Sequence, residues 1–599
     1  MSTSELAVKK GDTVVVPGGA VRRVGYVGTG RRGGVRIGVI VPGQKELTFY
    51  SVGQLQSRSM ELPLARVGGD PLVQLIQDGK RVLIRPAMPQ SKNGGFGRIV
   101  GKAGADYDED ANAFVVPVPL TLKVAERLKQ AGYEAVIHPD LRATLQARMA
   151  QARSMTEAAE TRVQAVDQRL QERGLALFPF QQKGVLWLAP RSAALLGDEM
   201  GLGKTIQALA AAPEDSPVLV IVPKLAKGVW SREAAKWRPD LTTSTLAGRG
   251  SFRWPTPGEL VITNYDVLSD SVPECPTGVT MVCDEAHVCK SERSLRGQRC
   301  QLLGRAVRAR GGRVWLLTGT PLLNRPTEVW GILKVADLAE EAFGSLKRFR
   351  AFFGDDLDAA PTVEGADMLK RVMLRRRKRD VLTELPPKSY ITIDVAIDEE
   401  TRRICDEVVE KMKELGISID RAVAVALKNS DDVAFELISF VRAAIATAKI
   451  PAMMDMVYLY EHYEEPLVIF SAHRAPIDFL AERPGWATVT GDTPPKERTA
   501  IEEAFQRGEI LGIAATIAAG GTAITLTRGA SVLFVDKAWT PALNEQAEDR
   551  CCRIGQVRGV QVTELVADHV LDQRVSAALS RKQQTIRDMI DAAATTDGE

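Results

Sequence analysis

Residues 195–205 read LLGDEMGLGKT, and the reading of this stretch decides the fold. An apolar run ends at Leu196, a glycine-rich turn follows, and Lys204-Thr205 opens a helix-forming segment, IQALAAA. Strand, glycine turn and helix start together make a phosphate cradle. Gly201 and Gly203 let backbone N–H groups close around phosphates. Lys204 can reach the β- and γ-phosphates, and the Thr205 hydroxyl can bind Mg²⁺. ATP and Mg²⁺ are therefore the expected cofactors. The strict pattern G-x-x-x-x-G-K-[ST] fails at one position, because Asp198 stands where its first glycine belongs. The plainer alternative is an ordinary glycine-rich turn.

Working outward, short apolar runs recur, each ending in polar residues. VLVIVP, ELVITNY, TMVCDEAH and VWLLTGTP come first; LVIFSAH, ILGIAATIA and ASVLFVD repeat the pattern later. Such runs suit buried parallel strands with functional groups at their C-terminal ends. The expected fold class is α/β, with two P-loop-type lobes and helical insertions near 326–372 and 399–447.

Two further motifs carry chemistry. Asp284-Glu285-Ala286-His287 follows the apolar segment TMVC. There Asp284 would hold Mg²⁺ through water, and Glu285 would orient or deprotonate an attacking water. In QAEDRCCRIGQ (546–556), Arg550 and Arg553 are spaced i, i+3 and would share a helix face. Two arginines aimed at a γ-phosphate would stabilise transition-state charge. The bland reading is a surface helix with ion pairs. Lys204, Asp284, Glu285, Arg550 and Arg553 form the expected catalytic set.

The chain has 599 residues, 45% hydrophobic and 26% charged. At roughly 150 residues per domain this implies about four domains, with ample core for each. A long disordered chain, collagen and a coiled-coil rod are excluded as whole-chain readings. No apolar run approaches the roughly 18 residues of a membrane span. The start, MSTSELAVKKG, lacks the apolar core of a signal peptide, so a cytoplasmic location, nucleoid-associated in a prokaryote or virus, is expected. Seven cysteines and five histidines, with no Cys-x-x-Cys pair, suggest neither a disulfide framework nor structural zinc. Adjacent Cys551 and Cys552 read as buried thiols.

Net charge is +3, unevenly spread: residues 1–100 hold 15 Lys/Arg against 6 Asp/Glu. That asymmetry hints at a polyanionic partner for the N-terminal part. Residues 1–62 read as a small SH3/Tudor-like β-barrel of short strands between glycine-rich turns. Gly28-Thr29-Gly30-Arg31-Arg32-Gly33 matches a dinucleotide fingerprint, but VRIGVIV follows it, so a hairpin loop is expected. Residues 75–140 read as a small α+β module, and 141–175 as a long polar linker helix. Lobe 1 is expected over 176–390, a helical insertion with lobe 2 over 391–580, and a C-terminal tail over 581–599.

In order, DEMGLGKTIQALA, DEAH, LLTGTPLLNRPTEVW, LRRRKRDVLTELPPK and QAEDRCCRIGQ resemble the Swi/Snf-type ATPases of helicase superfamily two, over about 400 residues from Leu177. The resemblance implies two RecA-like lobes and DNA-dependent ATP hydrolysis. It implies an ATP site of Gln181, reading adenine, and Asp198, Glu199, Met200, Gly201, Leu202, Gly203, Lys204 and Thr205, with Thr205 and Asp284 at the metal. Thr318, Gly319, Thr320 and Gln546 would couple hydrolysis to lobe movement. Lys224, Arg375, Arg376, Ser471, His473, Gly521, Thr522 and Trp539 would lie at DNA. Two positions depart from the family pattern: Ala523 stands where glycine is usual, and Cys551-Cys552 where Ala-His is usual.

Residues 96–133 are similar to the HepA-related module that precedes annealing-helicase motors. The resemblance thus implies a monomeric ATP-dependent translocase on duplex or branched DNA, independent of sequence, acting in fork remodelling, strand annealing or protein displacement. Residues 1–140 would offer a protein-docking surface. The alternatives are an RNA-polymerase-associated recycling ATPase and an ATP-switched DNA clamp or motor subunit of a larger complex.

Overall fold

The structure, a computed structural model, describes residues 72–592 except 80, 87–94, 249, 323, 357–360, 383, 428–432 and 521–523, together with the backbone of four strands before residue 52. Its contacts divide into two compact units, Met1–Ser154 and Met155–Glu599.

In the first unit, β1 (Thr13–Val15), β2 (Val21–Thr29), β3 (Val35–Ile40) and β4 (Thr48–Ser51) form an antiparallel sheet in sequence order. The expected closure into a barrel is not seen: among the described residues, β1 and β4 remain the two edges. Thr29 pairs with Val35 across β2 and β3. Gly28 and Thr29 therefore end a strand whose partner β3 is antiparallel and no helix opens at Val35, while Gly30–Gly33 lie outside the described residues. A second sheet holds β5 (Leu72–Asp78), β6 (Arg81–Pro86), β7 (Asp106–Asp108), β8 (Ala113–Pro117) and β9 (Glu134–Ile137), in the order β7-β8-β6-β5-β9. Gly79, at φ +61°, makes the tight β5–β6 turn. Val73, Leu75, Val82 and Ile84 of this sheet are buried, as are Val124 and Leu128 of helix Thr121–Gln130.

The Ala-, Gln- and Glu-rich stretch forms one helix, Pro139–Glu172, as helix propensity dictates. Its last turns bury Val163, Val166 and Leu170 in the core of the second unit.

That second unit contains two parallel sheets. Lobe 1 holds β10 (Ala193–Leu196), β11 (Val218–Val222), β12 (Thr242–Thr245), β13 (Glu259–Asn264), β14 (Thr280–Asp284), β15 (Arg313–Leu317) and β16 (Met373–Leu374), in the order β12-β13-β11-β14-β15-β10-β16. Both faces are covered, so β11 and β13 are buried along their whole length and read as continuous apolar runs. Lobe 2 holds β17 (Lys388–Val395), β18 (Leu467–Ser471), β19 (Trp486–Val489), β20 (Gly512–Thr516), β21 (Ser531–Phe534) and β22 (Val560–Ala567), in the order β17-β22-β21-β18-β20-β19. The expected pair of α/β lobes is thus present. The jumps in strand order are the switch points at which such sheets place their sites.

Helices Glu399–Glu414, Ile419–Leu427 and Val433–Ala448 form a small helical core on lobe 2 with Leu571, Val575 and Leu579 of helix Val570–Asp591. That last helix takes in the first residues of the segment expected as a C-terminal tail, 581–599. It runs on to Asp591 and brings Met589 and Ile590 against Leu322, Pro326 and Val329 of lobe 1. Lys582 Nζ donates to Asn324 Oδ1 at 2.7 Å on the way. Burial of apolar side chains late in the helix, and not its polar average, is what keeps it folded. All seven cysteines are free and buried, with Cys551 and Cys552 inside the lobe 2 core. Among the described residues no helix is long and apolar enough to cross a membrane.

Candidate nucleotide site

The C-terminal ends of β10, β14 and β15 converge, and each delivers one of the expected motifs. After β10 the chain turns through Gly201 (φ +84°) and Gly203 (φ +74°) into helix Lys204–Ala211. Gly203 is the N-cap and no side chain caps the helix, so its first amides are left open to an anion. A Cβ on Gly203 would collide with Gln181 Nε2. Glycine is favoured there by φ, and a side chain would also displace the Gln181 amide.

Lys204 Nζ donates to the carbonyls of Asp198 (2.8 Å) and Glu199 (3.2 Å), which stretches its side chain along the loop. Burial lowers the Lys204 pKa, against the opposing pull of Glu285, Asp198 and Asp284. At the end of β14, Asp284 Oδ2 accepts from Trp230 Nε1 at 2.7 Å, and the Asp284 carbonyl accepts from the Tyr265 hydroxyl at 2.6 Å. Burial, and then the charge of Glu285, push the Asp284 carboxyl up from its ordinary range. A carboxylate so placed is stabilised by a cation. Glu285 adopts a left-handed backbone (φ +51°), which turns its side chain out of the strand direction. Burial raises its pKa, but the His287 hydrogen bond and charge, then Lys204 and Arg550, outweigh it and hold Glu285 below the usual range. His287 Nδ1 lies 3.2 Å from Glu285 Oε2 and 3.2 Å from Thr318 Oγ1.

Thr318-Gly319-Thr320, after β15, closes on the same loop. The Thr318 amide donates to Leu196 O at 3.2 Å, and its hydroxyl accepts from Thr320 N at 3.1 Å. A Cβ on Gly319 would overlap Met200 and reach within 3.3 Å of Lys204 Nζ. Gln181, expected at adenine, is buried. Its Nε2 donates to Leu202 O at 3.3 Å and its Oε1 accepts from Phe178 N at 3.0 Å. In this arrangement it braces the P-loop from behind.

Lobe 2 supplies the opposite wall, with one correction. Helix Pro541–Glu548 ends before the arginines, so Arg550 and Arg553 lie on the turn that follows it and not on a shared helix face. Asp549 turns inward to two lysines, and the chain leaves the helix through short bonds such as Arg550 N to Ala547 O (3.1 Å). Both arginines still face lobe 1. A Cβ on Gly201 would lie 3.5 Å from Arg553 Cγ. Arg553 Nε donates to Asp549 O at 2.9 Å. Burial, then its neighbour Arg553, push Arg550 down to about 9, which leaves it charged at neutral pH. Two like charges packed beside a phosphate loop are stabilised by an anion between them. The donor set therefore fits ATP, with Thr205 and Asp284 available to Mg²⁺. Gln546 is buried on helix Pro541–Glu548.

Four residues expected at DNA are held elsewhere. Arg375 is buried and donates Nη1 to Gly197 O (2.8 Å) and Gly319 O (2.9 Å). Arg376 forms an ion pair with fully buried Asp198 and also donates to Phe180 O and Gln207 Oε1. The physical cause is Asp198 itself: a buried carboxylate in place of the P-loop glycine requires a buried cation. Ser471 is fully buried and donates to Asp536. Trp539 packs in the helical core beneath the Arg442 guanidinium, 4.3 Å from its ring centroid. Lys224 is exposed just after β11. His473 keeps partial exposure, with Nδ1 2.7 Å from Asp536 Oδ2. Gly521, Thr522 and Ala523 lie outside the described residues.

Sequence reasoning passed over Gln207, Trp230 and Tyr265, and assigned no role to His287. It also missed the structural use of Arg376, although the Asp198 departure was the signal for it. Replacing Arg376 with Met should leave Asp198 buried and unpaired, at a cost of about 3–5 kcal/mol. The readout is a lower urea midpoint for the second unit; an unchanged midpoint would contradict the pairing.

Phosphate loop, acidic strand end and facing arginines define a two-lobed P-loop ATPase. Residues 180–446 match the SNF2-related domain, and residues 448–555 match the helicase conserved C-terminal domain. Together these cover more than half of the chain, which belongs to the SNF2 family of helicase-like ATPases. It is 30% identical to the mouse (Mus musculus) "DNA annealing helicase and endonuclease ZRANB3" over 68% of this chain and 40% of that protein. It is 27% identical to the "Putative ATP-dependent helicase/translocase YwqA" of Bacillus subtilis, over 69% of this chain and 48% of that one. The chain thus spans less than half the length of either relative. The "Sulfolobus solfataricus SWI2/SNF2 ATPase core in complex with dsDNA" aligns with 69% of this chain and 93% of its own, at 21% identity and a TM-score of 0.33.

Proposed function

We propose that this chain is an ATP-dependent translocase that moves on duplex or branched DNA without reading its sequence, in fork remodelling, strand annealing or displacement of bound proteins. One observation carries the reading: both lobes meet at the same site, with Arg553 against Gly201 and the Arg550 charge acting on Glu285. The names of the relatives, an annealing helicase and a helicase/translocase, support the same branch.

Bound ATP–Mg²⁺ supplies the phosphoanhydride whose cleavage drives the cycle. In this reading Lys204 and the open amides of its helix hold phosphate oxygens, and Thr205 and Asp284 hold the cation. Glu285 orients the attacking water and accepts its proton on the carboxylate, which His287 keeps in place. Arg550 and Arg553 stabilise charge that develops across the lobe boundary. Thr318 is suited to coupling, because it touches His287 and the P-loop strand at once. Gln546, on the helix leading to the arginines, completes that coupling. Of the residues expected at DNA, exposed Lys224 and partly exposed His473 are available to a DNA backbone, which is contacted without sequence information. Residues 1–140 serve as an adaptor for substrate or a protein partner.

The test is steady-state ATP hydrolysis at fixed salt with no DNA, single strands, duplex and forked DNA. Duplex should stimulate strongly and forks further. Hydrolysis indifferent to every DNA would contradict the proposal and point to a protein-activated motor, such as one docked on RNA polymerase.

A further inference from the structure

Segment 374–378 runs beside the P-loop in parallel register. Leu195 pairs with Met373 and Leu196 with Leu374. The pairing continues past the strand, with Gly197 N donating to Leu374 O (2.7 Å) and Glu199 N to Arg376 O (2.9 Å). Glu199 Oε2 then accepts from Lys378 N at 2.7 Å. Three cations of this segment reach three different parts of the site. Arg376 holds Asp198 below the loop, and Arg375 holds the carbonyl of Gly319. Lys378 crosses to lobe 2, where its Nζ lies 2.8 Å from Asp549 Oδ1 and donates to Cys552 O at 2.9 Å.

Both ends of that crossing are buried: Lys378 is 5% exposed and Asp549 2%. Asp549 immediately precedes Arg550, and its carbonyl accepts from Arg553 Nε. Cys552 immediately precedes Arg553. One ammonium therefore grips the arginine turn at two points, one beside each arginine. The same carboxylate is also held from within lobe 2, by Lys388 at 2.7 Å. Burial raises the Asp549 pKa, but Lys378 and then Lys388 outweigh it and hold it below the ordinary range. Asp549 therefore stays a carboxylate at neutral pH.

We infer that Lys378 and Asp549 are positioning residues for hydrolysis: their buried pair ties the strand beside the P-loop to the turn that aims Arg550 and Arg553, so that the phosphate loop and the arginines move as one device. The inference rests on the ATPase reading above. Neither side chain has to touch nucleotide. Their action is to fix where the guanidiniums point, and a displacement of about 1 Å in such a group costs about 10²-fold in rate.

The test compares Lys378→Met with Lys388→Met in the full chain. Each removes one cation from the same buried carboxylate, and Lys388→Met also strips buried Glu548 of its cation, so the second variant carries no lighter burden on folding, but only the first cuts the arm to the P-loop. We expect Lys378→Met to lower kcat by about 10²-fold, with binding of a fluorescent ATP analogue kept near the wild-type Kd. Lys388→Met should lose far less turnover. In an Arg550→Ala background, Lys378→Met should add little further loss, because the pair acts through the arginines. Thermal unfolding of every variant separates loss of fold from loss of rate. Equal losses in the two lysine variants, or full additivity with Arg550→Ala, would overturn the inference. If Arg550→Ala itself turns over like wild type, the ATPase-site reading falls and the inference with it. Full turnover in Lys378→Met, with Arg550→Ala inactive, overturns the inference alone.

Discussion

Lys204→Ala should abolish measurable ATP hydrolysis, with kcat reduced on the order of 10³-fold or more. The ammonium is the only side-chain cation on the P-loop, and it faces Asp284 and Glu285 as well as the position of the phosphates. Its removal deletes a charge that acts on phosphate and leaves two neighbouring carboxylates with less compensation. Asp284, already pushed up by burial and by Glu285, is then pushed further, which weakens its hold on a divalent cation. The measurement is steady-state hydrolysis with saturating duplex DNA, beside a thermal melt of the same preparation. A folded variant with wild-type turnover would remove the P-loop assignment.

Arg550→Ala should cost as much by a different route. The residue lies on the other lobe, so nucleotide binding to lobe 1 should survive while turnover falls by about 10³–10⁵-fold, the range for an arginine that stabilises charge on a transferring phosphoryl group. Single-turnover measurements with prebound nucleotide isolate the chemical step. A proportional loss of nucleotide affinity, with chemistry intact, would mean that Arg550 acts in ground-state binding only. Loss of the Arg550 charge should also allow the Glu285 pKa to rise, since that charge helps to hold it down.

These effects arise from groups far apart in the chain, and this separates what was legible from what was not. LLGDEMGLGKT announced the phosphate loop because glycine conformation, lysine charge and helix start are local properties of eleven consecutive residues. Asp284 and Glu285 were legible for a similar reason: an apolar run ending in two carboxylates marks the end of a buried strand. Arg550 and Arg553 were found by their motif, but their helix was not there. Its end depends on Asp549 turning toward Lys378 and Lys388, more than 160 residues earlier.

The run LRRRKRD marks the boundary of sequence reasoning most clearly. Five consecutive cations look like a surface made for a polyanion, and charge alone favours that reading. Burial reverses it for three of them: Arg375 bonds carbonyls, Arg376 neutralises Asp198, and Lys378 crosses to Asp549. Trp539 likewise serves the helical core under Arg442.

By itself, then, the sequence determined the class of fold, the phosphate loop, the acidic strand end and the pair of arginines, because each is written in neighbouring residues with local geometry. Only the tertiary structure decided which cations are buried, where the arginine helix stops and what links the two lobes. Those outcomes depend on which charges lose water together, and desolvation is a property of packed neighbours and not of the chain order.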